Sequence, residues 1–179
     1  MVMCDKWIIE KAKNGMITPF FENNIKEGVM SYGVSSYGYD FTLSEEFKIF
    51  KGDSPLDPKK VKENYFVDFK GQICEIPPNS FILGRSIESF SIPRNIIGIC
   101  YGKSSYARSG IVVYITPLEP EWQGHLTILI YNVSPALNRV YANEGIGQVL
   151  FLKSETVCEK SYRDKKGKYQ DSKGIVLGK

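Results

Sequence analysis

The sequence predicts an all-β protein, mainly β with one short N-terminal helix, and three observations carry that prediction. From Tyr65 onward, short apolar runs (YFVDF, QICEI, FILGRSI, IIGICY) are separated by turn residues such as Pro77-Pro78-Asn79 and Pro93-Arg94. Runs punctuated that often build barrels or sandwiches rather than βαβ units. The later runs LTILIYN and GQVLFL are dominated by β-branched and aromatic residues, which suit a pleated, half-buried surface. Helical spacing shows at the start of the chain, where Trp7, Ile8 and Lys11 fall on one face.

In chain order, Asp5 is placed to cap a helix over 6–13, with Asn14-Gly15 as its stop. Residues 16–21 form an extended run interrupted by Pro19, and 23–28 a polar loop. The stretch SYGVSSYGYD, Ser31 to Asp40, is dense in Gly, Ser and Tyr, which suits tight turns before a strand over 41–50. Gly52, Asp53, Pro55, Asp57 and Pro58 make 51–61 a surface loop with solvated charges. Arg139-Val140-Tyr141, a turn at Asn143-Glu144-Gly145 and the strand GQVLFL close the body. Residues 161–179, rich in Lys, Gly, Tyr and Ser, read as a flexible tail with too little apolar surface to order alone. With no repeat and no linker, 1–179 is expected to be one domain.

At 179 residues and 42% apolar content the chain can bury a core without disulfides or metal. A net charge of +3, with the basic residues spread along the chain, argues against nucleic acid as a partner and leaves a small polyanion. Cys4, Cys74, Cys100 and Cys158 form no C-x-x-C pair, so neither a zinc cage nor a disulfide framework is expected. There is no leader signal and no apolar run near membrane-spanning length, which points to a soluble, cytoplasmic protein with no membrane partner.

The chemistry concentrates between Gly102 and Asn132. Lys103 offers a point charge, Ser104 and Ser105 hydroxyls, and Arg108 a rigid fork of donors, all bracketed by Gly102 and Gly110. A triphosphate suits such a loop. One strand further on, Pro117, Pro120 and Gly124 mark a bend that carries Glu119, Glu121 and Trp122. Trp122, Tyr114 and Tyr131 read as packing residues. The lone His125 has no H-x-E or P-C-x-x-C around it, so a zinc-activated water of the metal-dependent deaminases is not expected.

The segments SYGVSSYGYD, GKSSYAR, TPLEPEWQGHLT, YANEGIGQVLFL and YRDKKGKYQ resemble the successive signatures of the dCTP deaminase family, which is related to the trimeric dUTPases. The resemblance implies a distorted β-barrel, or β-clip, of the dUTPase-like kind, homotrimers with sites shared between subunits, and a tail that closes over nucleotide. It implies dCTP or dUTP as substrate, dTTP as a possible inhibitor, and Mg2+ carried on the triphosphate rather than held by protein side chains. The family reaction is hydrolysis of dCTP to dUTP and ammonia, feeding dUMP and dTTP synthesis.

Carried over by residue, the resemblance assigns Ser104, Arg108 and Glu119 as catalytic. Nucleotide contacts fall on Lys103, Ser104, Ser105, Tyr106, Ala107, Arg108, Glu119, Thr127, Ile128, Leu129, Gln148, Tyr162, Lys168 and Ser172. Two positions depart from the family pattern. Its strand resembles V-T-L-E-F-x-N, and anchoring on Gly124 and Asn132 places Leu129 where the proton-carrying Glu stands. Ser172 stands where the tail motif has Gln. The turn PLEPEWQGHL is also similar to that of the dUTPases, in which Glu119 matches the water-activating Asp; the implied alternatives are therefore dUTP diphosphatase activity, or a catalytically silent nucleotide-binding homologue.

Overall fold

The computed structural model describes residues 1–52 and 55–178, so Asp53 of the expected surface loop lies outside the described residues. Helix α1, Asp5–Lys13, packs Ile8 and Ala12 inward and is followed by β1, Ile17–Thr18; β2, Asn23–Asn24; β3, Tyr32–Ser35; and the long β4, Gly38–Phe50. Then come β5, Phe66–Lys70; β6, Ile73–Ile76; β7, Phe81–Ser91; and β8, Ile96–Gly102. The one-turn helix α2, Ser104–Arg108, leads to β9, Ile111–Tyr114; β10, Gln123–Asn132; β11, Asn138–Tyr141; and β12, Gly145–Lys153.

Among the described residues ten of these strands form one curled sheet around the core, and β6 pairs with β11 in a small second sheet. Strands β4, β7 and β10 are its spine. β7, and β10 from Gly124 onward, alternate between buried and half-buried residues, so every second side chain enters the core. On β10 the inward set is Gly124, Leu126, Ile128, Ile130 and Asn132; the opposite face carries His125, Thr127, Leu129 and Tyr131. Buried Asn132 fastens the end of β10 by donating to the carbonyls of Ile76, Pro77 and Ala136 at 2.8–3.1 Å. Strand β4 serves two halves of the barrel: its start pairs with β12 through Asp40↔Gln148, and its end pairs with β7 and β5.

Several expectations need correction. The N-cap of α1 is Cys4, and Asp5 lies inside the first turn with its carboxylate on the Lys6 N–H at 2.7 Å. Asn23 and Asn24 are strand rather than loop, because the ladder to β3 uses only backbone groups. β4 begins at Gly38, not at Phe41. The donor stretch is helical at 104–108, where Tyr106 is buried and the Ala107 N–H reaches Lys103 O at 3.2 Å. Tyr114, expected to pack, is 60% exposed.

Candidate active site

A cavity of about 810 Å³ opens between the 115–122 turn, the outer face of β10 and the C-terminal segment. The turn contributes Glu119 and Trp122, β10 contributes His125 and Thr127, and the tail contributes Tyr162, Tyr169, Ser172 and Val176. The tail is fixed along this rim by backbone bonds, Tyr162 N–H to Pro120 O, Asp171 N–H to Gln123 O and His125 N–H to Ser172 O, each at 2.9–3.0 Å. Trp122 Nε1 donates to Tyr169 O at 2.8 Å, and the Val176 N–H donates to Thr127 Oγ1 at 3.0 Å. Gly124 is required at this junction. It has φ +141°, and a Cβ there would lie 2.7 Å from the Ser172 nitrogen.

Charge on the wall is sparse. Among the described residues Glu119 is the one carboxylate lining the cavity, and Lys165 Nζ stands 3.4 Å from it. Glu121 is committed elsewhere, to Arg94 at 2.7 Å. His125 turns Nδ1 towards Ser86 O at 3.3 Å, the proton on that nitrogen being assigned by the acceptor it faces. Leu129 follows Thr127 on the same strand face, half-buried, paired with Leu83 of β7 and Tyr114 of β9, just beyond the lining residues. Ile128 points the opposite way and is fully buried in the core.

The phosphate-binding candidates form a second group. Ser104, Ser105, Ala107 and Arg108 are exposed on α2, and among the described residues no hydrogen bond or ion pair holds the Arg108 side chain. Lys103 Nζ contacts Asp40 Oδ2 at 2.5 Å and Ser31 Oγ at 3.2 Å. Gln148 Nε2 donates to Asp40 Oδ1 at 2.7 Å and Ser35 Oγ at 3.0 Å. Asp40 therefore clamps two expected nucleotide ligands together, and the last residue of SYGVSSYGYD gains a definite role. Tyr106 is buried, its hydroxyl accepting the Tyr141 N–H at 3.3 Å. None of these residues lines the 810 Å³ cavity. Lys168 lies exposed on the tail between the two cavity tyrosines. Within one chain the structure brings Glu119, Thr127, Tyr162 and Ser172 together, and Lys103 and Gln148 together, but it does not join the two groups. Among the described residues no three His, Cys, Asp or Glu side chains converge as a metal cage, and no helix is long and apolar enough to cross a membrane.

Residues 2–154 match the family model described as dCTP deaminase-like. The chain belongs to that family. It is 58% identical over 176 residues to a dCTP deaminase of Campylobacter hominis, covering 97% of this chain and 93% of the relative. It is 56% identical to a dCTP deaminase of Nitratiruptor sp., covering 98% and 96% of the two chains. The fold is similar to the crystal structure of the 2'-deoxycytidine 5'-triphosphate deaminase from Agrobacterium tumefaciens, with TM-score 0.67 and 14% identity. That likeness covers 86% of this chain, which spans about half (48%) of the Agrobacterium protein. The family is therefore one of enzymes acting in deoxynucleotide metabolism, and the curled, mainly β fold observed is the one shared with that deaminase. Sequence reasoning missed Arg94 altogether, since an arginine after a proline in a turn carries no local signal of its two distant partners.

Proposed function

We propose that the protein is a hydrolase of pyrimidine deoxynucleoside triphosphates, taking dCTP or dUTP into the cavity between the turn, β10 and the tail. Relatives named dCTP deaminase support the substrate class. Two positions bear on the choice of reaction: Glu119 is the carboxylate of the cavity wall among the described residues, and Leu129, just beyond the lining residues, falls by the family resemblance where the proton carrier stands. Proton transfer by a positioned side chain is worth roughly 100- to 10,000-fold, so the ammonia-releasing route loses its main acid–base group.

Glu119 instead orients a water for in-line attack on the α-phosphorus. The water oxygen bonds to phosphorus, the bond to the bridging oxygen breaks, pyrophosphate leaves, and the water proton passes to the carboxylate. Magnesium carried on the triphosphate would supply neutralising charge, with no protein side chain needed to hold it. The unpartnered donors of α2 lie outside this cavity, which supports a site completed by α2 of a second copy. Tyr101, Val112 and Tyr114, exposed beside α2, offer an apolar face for that contact in a homotrimer. Light scattering of the nucleotide-bound protein is expected to give a trimer; a monomer would refute the shared site.

Incubation with dCTP and with dUTP plus magnesium, scoring ammonia and pyrophosphate separately, tests the reaction. Pyrophosphate from dUTP that vanishes in Glu119→Gln is expected. Fast ammonia release from dCTP would refute the reading. The contact between Lys165 and Glu119 favours one second reading, a silent nucleotide-binding homologue whose carboxylate is occupied; it requires binding with neither product.

A further inference from the structure

Arg94, on the turn between β7 and β8, joins the two segments that wall the cavity. Its Nη1 donates to Glu121 Oε2 at 2.7 Å, while Nη2 pairs with Asp164 Oδ2 at 2.8 Å and donates to the carbonyls of Glu159 at 3.0 Å and Cys158 at 3.4 Å. One guanidinium thus spans the carboxylate turn and the base of the tail. Both partners are themselves constrained. Glu121 sits at φ +61°, a left-handed conformation that a non-glycine residue holds only when its surroundings fix it. Backbone bonds from Glu121 N–H to Ile92 O and from Ile92 N–H to Trp122 O, both at 3.0 Å, register this turn against the residues preceding Arg94. Asp164 accepts the Ser161 N–H on its carboxylate at 3.0 Å, and its own N–H donates to Ser161 Oγ at 3.2 Å, closing a tight loop around Tyr162. The Ser161 N–H and the guanidinium hold the Asp164 carboxyl below its ordinary range, so the pair stays ionised.

Next to Glu121 in the chain stands Trp122, and two residues before it stands Glu119; next to Ser161 stands Tyr162. These are opposite walls of the same cavity. We propose that Arg94 is a positioning residue for the nucleotide cavity, fixing the wall that carries Glu119 and Trp122 against the wall that carries Tyr162 and Tyr169. The identity of the ligand rests on the nucleotide reading above. A lysine cannot replace it fully, because one ammonium lacks the planar fork that reaches Glu121 and Asp164 in different directions.

The test uses Arg94→Ala and Arg94→Lys in a Trp7→Phe background, which leaves Trp122 as the sole tryptophan of the chain. Acrylamide quenching of Trp122, amide exchange over 161–172, and affinity for a nonhydrolysable dUTP analogue with magnesium are measured on the full-length protein. Arg94→Ala is expected to raise quenching, to speed exchange by about 3- to 10-fold, the scale of two part-exposed ion pairs lost together, and to weaken binding by a similar factor. Arg94→Lys should fall between, and keeps the comparison available if the alanine variant does not fold. Glu121→Gly relieves the left-handed strain while leaving the Asp164 arm intact, so it should loosen Trp122 without speeding exchange at Tyr162. Unchanged quenching and exchange in folded Arg94→Ala would overturn the clamp. Faster exchange with unchanged affinity would overturn its positioning role. A parent protein that binds neither the dUTP analogue nor dCTP would overturn the nucleotide reading, and quenching and exchange would still decide the clamp.

Discussion

Glu88 makes the stability of the barrel depend on pH in a direction opposite to that of most carboxylates. It lies on the inward face of β7, fully buried, and its carboxylate accepts the Thr42 N–H at 3.0 Å, Thr42 Oγ1 at 3.0 Å and the Tyr39 hydroxyl at 3.1 Å. Among the described residues no cation pairs with it. Burial pushes the carboxyl up to about 7 from an ordinary 4.5, against the opposing pull of the Thr42 and Tyr39 hydrogen bonds. The Tyr39 hydroxyl is itself driven upward, by burial first and by Glu88 second, so it remains a donor throughout. Because the folded pKa exceeds the unfolded one, the folded state holds more protons between the two values. This contribution is fully present below about 4.5 and is lost as pH rises through about 7. The difference corresponds to about 3 kcal/mol, of which about 2 to 3 kcal/mol falls between pH 5 and pH 8. Glu88→Gln removes the titration. The amide nitrogen then faces donors, which costs stability at every pH, so the informative quantity is the change in its cost with pH. Urea unfolding at pH 5 and pH 8 is expected to show a penalty smaller by about 2 to 3 kcal/mol at pH 8. The same penalty at both pH values would refute the reasoning, because every other titrating group cancels in the comparison.

Arg108→Ala should weaken dUTP or dCTP binding by about 2 kcal/mol or more, the scale for losing a charge-assisted partner of the triphosphate; unchanged affinity in calorimetry would remove α2 from the site. Amide exchange over 161–172 is expected to slow on adding nucleotide, as a tail closing over its ligand requires, and equal protection with and without ligand would count against closure. Leu129→Glu should produce measurable ammonia from dCTP, with a pH optimum displaced upward because a half-buried carboxyl between Leu83 and Tyr114 ionises late. No ammonia from a folded Leu129→Glu variant that binds dCTP would show that the strand alignment is wrong.

The strands were legible where alternation was complete. FILGRSI and LTILIYN lie inside β7 and β10, whose every second side chain is buried, and such a period survives tertiary context. The donor stretch was misread because two serines between glycines favour a turn locally, and only the burial of Tyr106 against the Tyr141 backbone settles the helical turn. Glu119 and the tail were legible as neighbours through the family resemblance. Asp40 was not, since it meets Lys103 across 63 residues of chain and Gln148 across 108, and no local pattern encodes a pairing set by β-register.

The family resemblance puts a glutamate where Leu129 stands, and the strand sets what each residue costs the fold. On β10 the outer face passes from His125 and Thr127, which line the cavity, to Leu129, which sits half-buried between a leucine and a tyrosine. A glutamate there is partly desolvated and has no cation among its strand partners, so it costs the fold stability that only chemistry repays. A leucine at the same place gains on the order of 1 kcal/mol of apolar burial and strains nothing. Selection for stability alone therefore favours Leu129, and only selection for deamination opposes it. Asp40 with its two partners and Arg94 with its two face no such conflict, because their charges are paired within the fold itself.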